Sequence, residues 1–125
     1  MKTKISTAEA PAAIGPYSQA IRHGDLLFIS GQLPIDPSTS NLVEGDITVQ
    51  TEQVLKNLSA VLKSAGMDLD NILRCTCFLS DLGDFAKFNE VYGKYLGRSA
   101  PSRETVQVAR LPKDCKVEIS AICGA

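Results

Sequence analysis

The chain has 125 residues, of which 44% are hydrophobic and 22% are charged, and its formal net charge at pH 7 is -1. This length predicts one domain, residues 1–125, that buries its own core without metal ions or disulfide bonds. Nucleic-acid-binding proteins usually carry a basic excess or a basic stripe, whereas acids and bases are interspersed here. Nucleic acid is therefore not expected as the main ligand.

No segment is apolar over the length of a signal peptide or a membrane span, so we expect a cytoplasmic protein with no membrane partner. Its cysteines, Cys75, Cys77, Cys115 and Cys123, all lie in apolar, strand-like segments. In a chain without a secretory signal they are expected to be buried, reduced thiols. With His23 the only histidine, a zinc site is not expected.

The first third of the chain predicts short strands and loops. Lys2–Ser6 is expected to be a short edge strand, and Thr7–Pro16 is a loop rich in Ala, Pro and Gly. Tyr17–His23 and Leu26–Gln32 are predicted to be extended and joined by a tight turn that contains glycine. Pro34–Gly45 is predicted to be a loop.

Two helices with a strand between them follow. The first helix is capped by Asp46 or Thr48 and ends at Gly66, with apolar residues at helical spacing. Ile72–Ser80 is predicted to be a strand that is covered on both faces. The second helix opens at Asp81 and stops at Gly97. Its predicted buried stripe comprises Leu82, Phe85, Phe88, Val91, Tyr92 and Tyr95.

The segment Ala100–Pro112 alternates with a period of two, as a strand does. The face with Val106 and Val108 is expected to meet the core, which leaves Arg103 and Thr105 on the opposite face. A hairpin across Leu111–Asp114 is then expected to join this segment to a last strand, Cys115–Cys123. The whole pattern predicts an α+β fold, in which two helices pack on one face of a single mixed or mostly antiparallel sheet.

The other face of the predicted sheet carries Phe28, Phe78 and Ile122 among polar residues. It is too apolar to be left open to water, so a partner subunit is expected to cover it.

Arg103 and Glu118 are the first candidates for a functional site. On one face of neighbouring strands they would form a cross-strand ion pair, which is the interpretation that the residues alone favour. In a face sealed by a second subunit, Arg103 would instead be suited to bind a planar carboxylate or phosphate. Ser30 and Gly31 mark either a bulge or a ligand-binding hydroxyl and backbone N–H. Tyr17 fits the core or a cleft, and Asn89 fits a solvated helix surface.

Several segments together resemble one family over nearly the whole chain: Ala12–Ala20, Ile29–Pro34, Asp84–Tyr92, Val108–Asp114 and Val117–Ile119. Their order and spacing are similar to those of the RidA (YjgF) family of imine deaminases. The resemblance implies a chorismate-mutase-like fold, a homotrimer with a central barrel-like core, and sites between subunits. It also implies cofactor-free hydrolysis of 2-iminobutanoate and 2-iminopropanoate to 2-keto acids and ammonia.

Carried over by position, the resemblance makes Arg103 the residue that binds the substrate carboxylate and Glu118 the residue that positions or activates water. Tyr17, Ser30, Gly31, Asn89 and Thr105 match positions that line the site. Thr105 stands where many members have a cysteine, so thiol chemistry at that position does not transfer. Ala100 replaces a frequent aromatic residue, which leaves the size of the substrate open.

Two other classes of function remain beside the deaminase. One is an endoribonuclease or translation inhibitor, an activity ascribed to some members of the family, against which the charge distribution speaks. The other is a trimer that binds a small ligand or unfolded protein without catalysis.

Overall fold

The computed structural model describes all 125 residues, and one sheet of six strands organises it, in the order β1-β2-β3-β8-β6-β7. Its strands are β1 (Thr3–Ile5), β2 (Ala20–His23), β3 (Leu26–Gln32), β6 (Ile72–Leu79), β7 (Ser102–Gln107) and β8 (Val117–Gly124). A separate pair, β4 (Ile35–Asp36) and β5 (Asn41–Leu42), forms a small antiparallel hairpin. This hairpin lies inside the segment that was expected to be only a loop.

Two helices cover one face of the sheet, as the sequence predicts. Helix α1 (Ile47–Ser64) begins at Asp46, whose carboxylate accepts a hydrogen bond from the Val49 N–H at 3.1 Å. It ends before Gly66, which has a φ of +76°. Helix α2 (Phe85–Leu96) follows a short 3₁₀ turn that Asp81 caps. Neither helix has the length and hydropathy needed to span a membrane.

The core lies between the helices and the sheet, and it contains Cys75, Cys77 and Cys123. Cys115 is also buried but lies outside this core cluster. All four are free thiols, as expected. In α2 the stripe of Phe88, Val91 and Tyr92 is buried as predicted, whereas Leu82 and Phe85 are 46% and 37% exposed. Leu82 lies in the 3₁₀ turn that precedes α2, and Phe85 is the first residue of the helix.

The predicted hairpin between the last two strands is wrong. Strand β7 pairs in parallel with β6, and β8 lies between β3 and β6, antiparallel to both. Helix α2 therefore connects two adjacent parallel strands, because parallel neighbours need a crossover and a helix is the usual one. The chain then passes from the edge of the sheet back to its centre to form β8.

The predicted faces of β7 are also reversed. Arg103 is paired with Cys75 and Thr105 with Cys77, and both cysteines are fully buried under the helices. Arg103 and Thr105 therefore point to the helical side of the sheet. Val106 points to the open side and is 43% exposed. The valine was expected to mark the core face, but the edge strand leaves its apolar side chain on the open face instead.

The open face of the sheet is as apolar as the sequence indicated. Phe28 is 41% exposed and Ile122 is 36% exposed, and the two are paired across β3 and β8. Phe78, half-buried, lies opposite Glu118 on the neighbouring strand. Adjacent exposed aromatic and aliphatic side chains of this kind are typical of a surface that another protein covers.

One buried glutamine fixes the loop that precedes β2. The Gln19 side chain accepts a hydrogen bond from the Thr7 N–H at 2.7 Å. Its amide nitrogen lies within hydrogen-bond distance of the carbonyl oxygens of Thr7, Ala10 and Pro11. Gln19 is only 4% exposed, so these contacts replace water for a stretch of chain that has no regular structure.

Gln19→Leu should therefore destabilise the protein by about 1–3 kcal/mol, because it leaves buried backbone groups of the loop without partners. Urea unfolding would measure this as a lower midpoint at an unchanged slope. Exposed Glu9→Gln in the same loop is the control and should leave the midpoint in place. A midpoint for Gln19→Leu equal to that of wild type would show that the loop is not held by this side chain.

Candidate functional site

The Arg103 guanidinium is held by three residues of α2. Its Nη1 donates a hydrogen bond to Asn89 Oδ1 at 2.8 Å. Its Cζ lies 4.7 Å from the centroid of the Tyr92 ring and 5.5 Å from that of Phe85. Both distances are within the range of cation–π attraction, which contributes about 0.5–2 kcal/mol. We call Arg103, Phe85, Asn89 and Tyr92 the Arg103 cluster.

No carboxylate neutralises this guanidinium. The ion pairs of the chain join Arg74 to Glu104, Arg98 to Asp70 and Arg110 to Asp114, and Arg103 takes part in none of them. Its neighbours are a neutral amide and two aromatic rings. A guanidinium that is fixed in place but unpaired has its remaining N–H groups available for a carboxylate or phosphate.

Beneath Arg103 lies a layer of buried thiol and hydroxyl groups. Burial raises the pKa of Cys77 to about 12 and also raises the pKa of Cys75. Neither thiol is therefore ionised near neutral pH, so neither is a nucleophile. Thr105, which the resemblance placed in the site, has its hydroxyl oxygen enclosed in this layer without a well-formed hydrogen bond. The same holds for the hydroxyl of Tyr92.

A second group of predicted residues surrounds the end of β3. Tyr17, Ser30, Gly31 and Glu118 line a cleft of about 310 Å³, together with Leu33 and Pro112. We call it the Glu118 cleft. The pairing of β3 with β8 is irregular between Ile29 and Gln32, which confirms a bulge at Ser30–Gly31. Ser30 Oγ donates a hydrogen bond to the Ser18 carbonyl at 2.6 Å, so its lone pairs remain to accept one from a ligand.

Glu118 packs directly against the backbone of Gly31. A Cβ atom at Gly31 would lie 2.9 Å from Cδ of Glu118 and even closer to Oε2. Glycine is therefore required here to let the carboxylate approach the strand. Burial raises the pKa of Glu118, and no basic side chain forms an ion pair with it. A carboxylate in such surroundings accepts a proton more readily than an exposed one.

The structure brings the predicted site residues together in two groups but does not join the groups. Arg103, Asn89 and Thr105 lie on the helical side, and Tyr17, Ser30, Gly31 and Glu118 lie at the cleft. Arg103 points under the helices, whereas Glu118 lies across from Phe78 on the open side. The expectation that Arg103 and Glu118 share one face of neighbouring strands is wrong, because β6 separates β7 from β8.

The sequence did not single out Phe85 and Tyr92 as the support of Arg103. Their spacing with Asn89, four and then three residues, places all three on one face of α2. That spacing is the available signal, although the apolar pattern alone predicts Phe85 and Tyr92 in the buried stripe and Asn89 on a solvated helix surface. No group of three or more His, Cys, Asp and Glu side chains is arranged to hold a metal ion.

Comparison with known proteins agrees with this architecture. Residues 7–124 match the family model described as endoribonuclease L-PSP. The chain is 55% identical to a RutC family protein of Pyrococcus horikoshii, over 98% of this chain and 97% of that protein. It is 48% identical to the 2-iminobutanoate/2-iminopropanoate deaminase of mouse, over 94% of this chain and 87% of that one.

Among solved structures, Escherichia coli TdcF with bound serine has a TM-score of 0.94 and 42% identity, and the match covers 98% of each chain. Fold and matched residues together define a small α+β protein with an unpaired arginine and a half-buried carboxylate on separate surfaces. The chain belongs to the Rid family, which is also described as the endoribonuclease L-PSP family. That family includes imine and enamine deaminases.

Glu118→Gln should stabilise the protein at neutral pH. Because the folded state raises the pKa of Glu118, it binds this proton more tightly than the unfolded state does. Folding is therefore penalised increasingly as the pH rises from the ordinary glutamate range through the raised pKa. The uncharged amide avoids this penalty, so the gain in melting temperature should be larger at about pH 7.5 than at about pH 4.

Glu9→Gln, at an exposed position, is the control and should not shift the melting temperature at either pH. A Glu118→Gln gain that is the same at both pH values would show that the half-buried charge does not set the effect.

Proposed function

We propose that this protein hydrolyses 2-imino acids, such as 2-iminobutanoate and 2-iminopropanoate, to 2-keto acids and ammonia. The observation that carries the proposal is the unpaired, rigidly held guanidinium of Arg103. A 2-imino acid presents a planar carboxylate next to an electrophilic C=N carbon, and the carboxylate fits the fork of an arginine. The activity named for the mouse relative, and the amino acid bound to TdcF, both support a ligand with a carboxylate beside a nitrogen-bearing carbon.

In the proposed reaction Arg103 binds the carboxylate and fixes the position of the C=N carbon. Glu118, whose raised pKa suits a proton acceptor, removes a proton from a water molecule as its oxygen attacks that carbon. Attack on the protonated imine forms the C–O bond and gives a tetrahedral amino alcohol. Glu118 then returns its proton to the amino nitrogen, the C–N bond breaks and ammonia leaves, and the hydroxyl proton passes to the Glu118 carboxylate as the carbonyl of the 2-keto acid forms.

The reaction needs both residues at one substrate, and in one chain they lie on opposite sides of the sheet. A second copy that docks against the apolar open face would bring its own Arg103 cluster to the Glu118 cleft of the first. The two surfaces differ, so the contact would be head-to-tail, and head-to-tail contacts form a closed ring when the rotation between subunits closes. We propose the homotrimer of the family resemblance as that ring, with three equivalent sites between subunits.

The alternative activities find less support in the site. The family model carries the description of an endoribonuclease. However, the only histidine, His23, is exposed at the end of β2, away from both groups of site residues. A ribonuclease activity would appear as RNA cleavage that falls steeply with salt. A trimer that only binds unfolded protein would be insensitive to substitution of Arg103.

Arg103→Ala should lower kcat/KM for 2-iminobutanoate by roughly 100-fold or more, because the substrate loses its carboxylate anchor. Arg103→Lys should recover only part of this activity, since an ammonium lacks the planar fork and stacks less well on the two rings. Threonine dehydratase can supply the imine while semicarbazide competes for it. Lys87→Ala, on the exposed surface of α2, is the matched control. Equal rates for wild type and Arg103→Ala would disprove the deaminase proposal.

Mixed oligomers test whether each site is shared. Arg103→Ala and Glu118→Ala chains are each expected to be inactive alone. When they are co-expressed and assemble at random in equal amounts, about a quarter of the sites would pair an intact Arg103 with an intact Glu118. Activity should therefore return to about a quarter of the wild-type value. No recovery in oligomers shown to be mixed would mean that one chain supplies both residues.

Wild type mixed with the double variant Arg103→Ala/Glu118→Ala provides the control. A shared site predicts about a quarter of full activity, whereas a site within one chain predicts about a half.

A further inference from the structure

The turn that leads into β8 has an unusual backbone. The Cys115 N–H donates a hydrogen bond to the Pro112 carbonyl at 3.2 Å. Between them, Lys113 and Asp114 have φ angles of +57° and +55°. This is the pattern of a type I′ turn, whose two central positions are usually occupied by Gly, Asn or Asp. Neither residue is a glycine here, and left-handed backbone is unfavourable for a lysine, so the turn needs a restraint to hold it.

An ion pair across this turn supplies the restraint. Arg110 Nε donates a hydrogen bond to Asp114 Oδ1 at 2.6 Å, and Nη2 donates one to Oδ2 at 3.1 Å. These hydrogen bonds and the charge of Arg110 lower the pKa of Asp114, so the carboxylate is ionised throughout the neutral range. Most exposed ion pairs contribute little, but a bidentate contact between guanidinium and carboxylate also fixes the relative orientation of the two groups. One of those groups belongs to a residue with left-handed backbone.

The two ends of the turn are fixed without this ion pair. Leu111 is 7% exposed, and Cys115 is fully buried. The next residue, Lys116, donates its N–H to Gln50 Oε1 at 2.8 Å. The three residues in the middle of the turn are exposed. Loss of the ion pair would therefore free the middle of the turn without unfolding the strand that follows.

The middle of the turn borders the proposed catalytic base. Pro112 lines the Glu118 cleft, in which Tyr17 is the only other titratable side chain besides Glu118 itself. Glu118 is half-buried, and that burial raises its pKa without a charged neighbour. A wall that keeps water away from this carboxylate makes it a better proton acceptor.

We propose that Arg110 and Asp114 are positioning residues of the enzyme. Their ion pair locks the turn, and the turn holds Pro112 beside the catalytic base. The inference rests on the proposed deaminase function. Neither partner of the ion pair lines the Glu118 cleft, so both act through the turn and its wall. The substrate carboxylate is assigned to Arg103, so the ion pair should affect the rate of hydrolysis and leave the affinity for a carboxylate unchanged.

Asp114→Ala and Arg110→Ala each break the ion pair and should lower kcat/KM for 2-iminobutanoate by roughly tenfold, because the base is then less well placed and shielded. The double variant should be no slower than either single variant, since all three lose the same interaction. The dissociation constant of 2-ketobutyrate, measured by calorimetry, should change by less than about twofold. Asp114→Asn should keep most of the activity, since asparagine tolerates left-handed backbone and still accepts a hydrogen bond.

Two measurements separate positioning from a loss of stability. Hydrogen exchange of the Cys115 amide should become faster in both alanine variants, because the turn opens locally. The melting temperature should change little, since the ends of the turn stay anchored. Arg98→Ala, which breaks the exposed ion pair with Asp70, is the matched control. It should leave kcat/KM and the exchange of the Cys115 amide unchanged.

The outcomes distinguish this inference from the proposed function. If wild type does not hydrolyse 2-iminobutanoate, the deaminase function fails and the inference fails with it. If wild type is active and the alanine variants match it in kcat/KM, the deaminase stands and the inference is overturned. Activity that falls only in proportion to the unfolded fraction, or together with dissociation of the oligomer, would also overturn the inference, because the ion pair would then be purely structural.

Discussion

The parallel pairing of β7 with β6 is the constraint on which the rest of the site depends. Because it aligns Arg103 with Cys75, the guanidinium points under the helices and reaches the exposed end of α2. There it meets Asn89 and two aromatic rings instead of a carboxylate. With the antiparallel hairpin that the sequence suggested, Arg103 could have lain beside Glu118 and formed an ordinary surface ion pair. The topology of the sheet thus keeps apart two charges that would otherwise neutralise each other.

The two candidate site residues, Arg103 and Glu118, are each held without an ion-pair partner. Glu118 is partly buried without a basic partner, and Gly31 is kept free of a side chain so that the carboxylate can fit. Arg103 is held by attraction to aromatic rings, which is weaker than a buried ion pair and leaves the cation available. Local arrangements that lower the stability of the fold in this way are concentrated at functional sites. On the open face, Phe28, Ile122 and Val106 add exposed apolar surface that a lone chain does not need.

Much of this could be predicted from the sequence, and the failures have a common cause. The cap at Asp46, the stop at Gly66, the strand from Ile72 and the reduced cysteines all depend on local patterns, and the structure agrees with them. The alternation of β7 also correctly separated Arg103 and Thr105 from Val106. What alternation cannot give is which face the helices cover or which strand lies alongside, since both are decided by contacts far away in the sequence. The valines suggested a core face, but β7 is an edge strand whose valine face stays open.

The separation of Arg103 from Glu118 also affects how activity would depend on the amount of protein. A chain that carries a complete site is active as soon as it folds, whatever its concentration. Here each folded chain holds the two halves of the proposed site on opposite sides of its sheet. Catalysis by the proposed mechanism would therefore begin only when two chains associate. Specific activity would then fall on dilution below the dissociation constant of the assembly, although every molecule stayed folded. Subunit affinity would thereby set a lower limit on the cellular concentration at which the protein is useful.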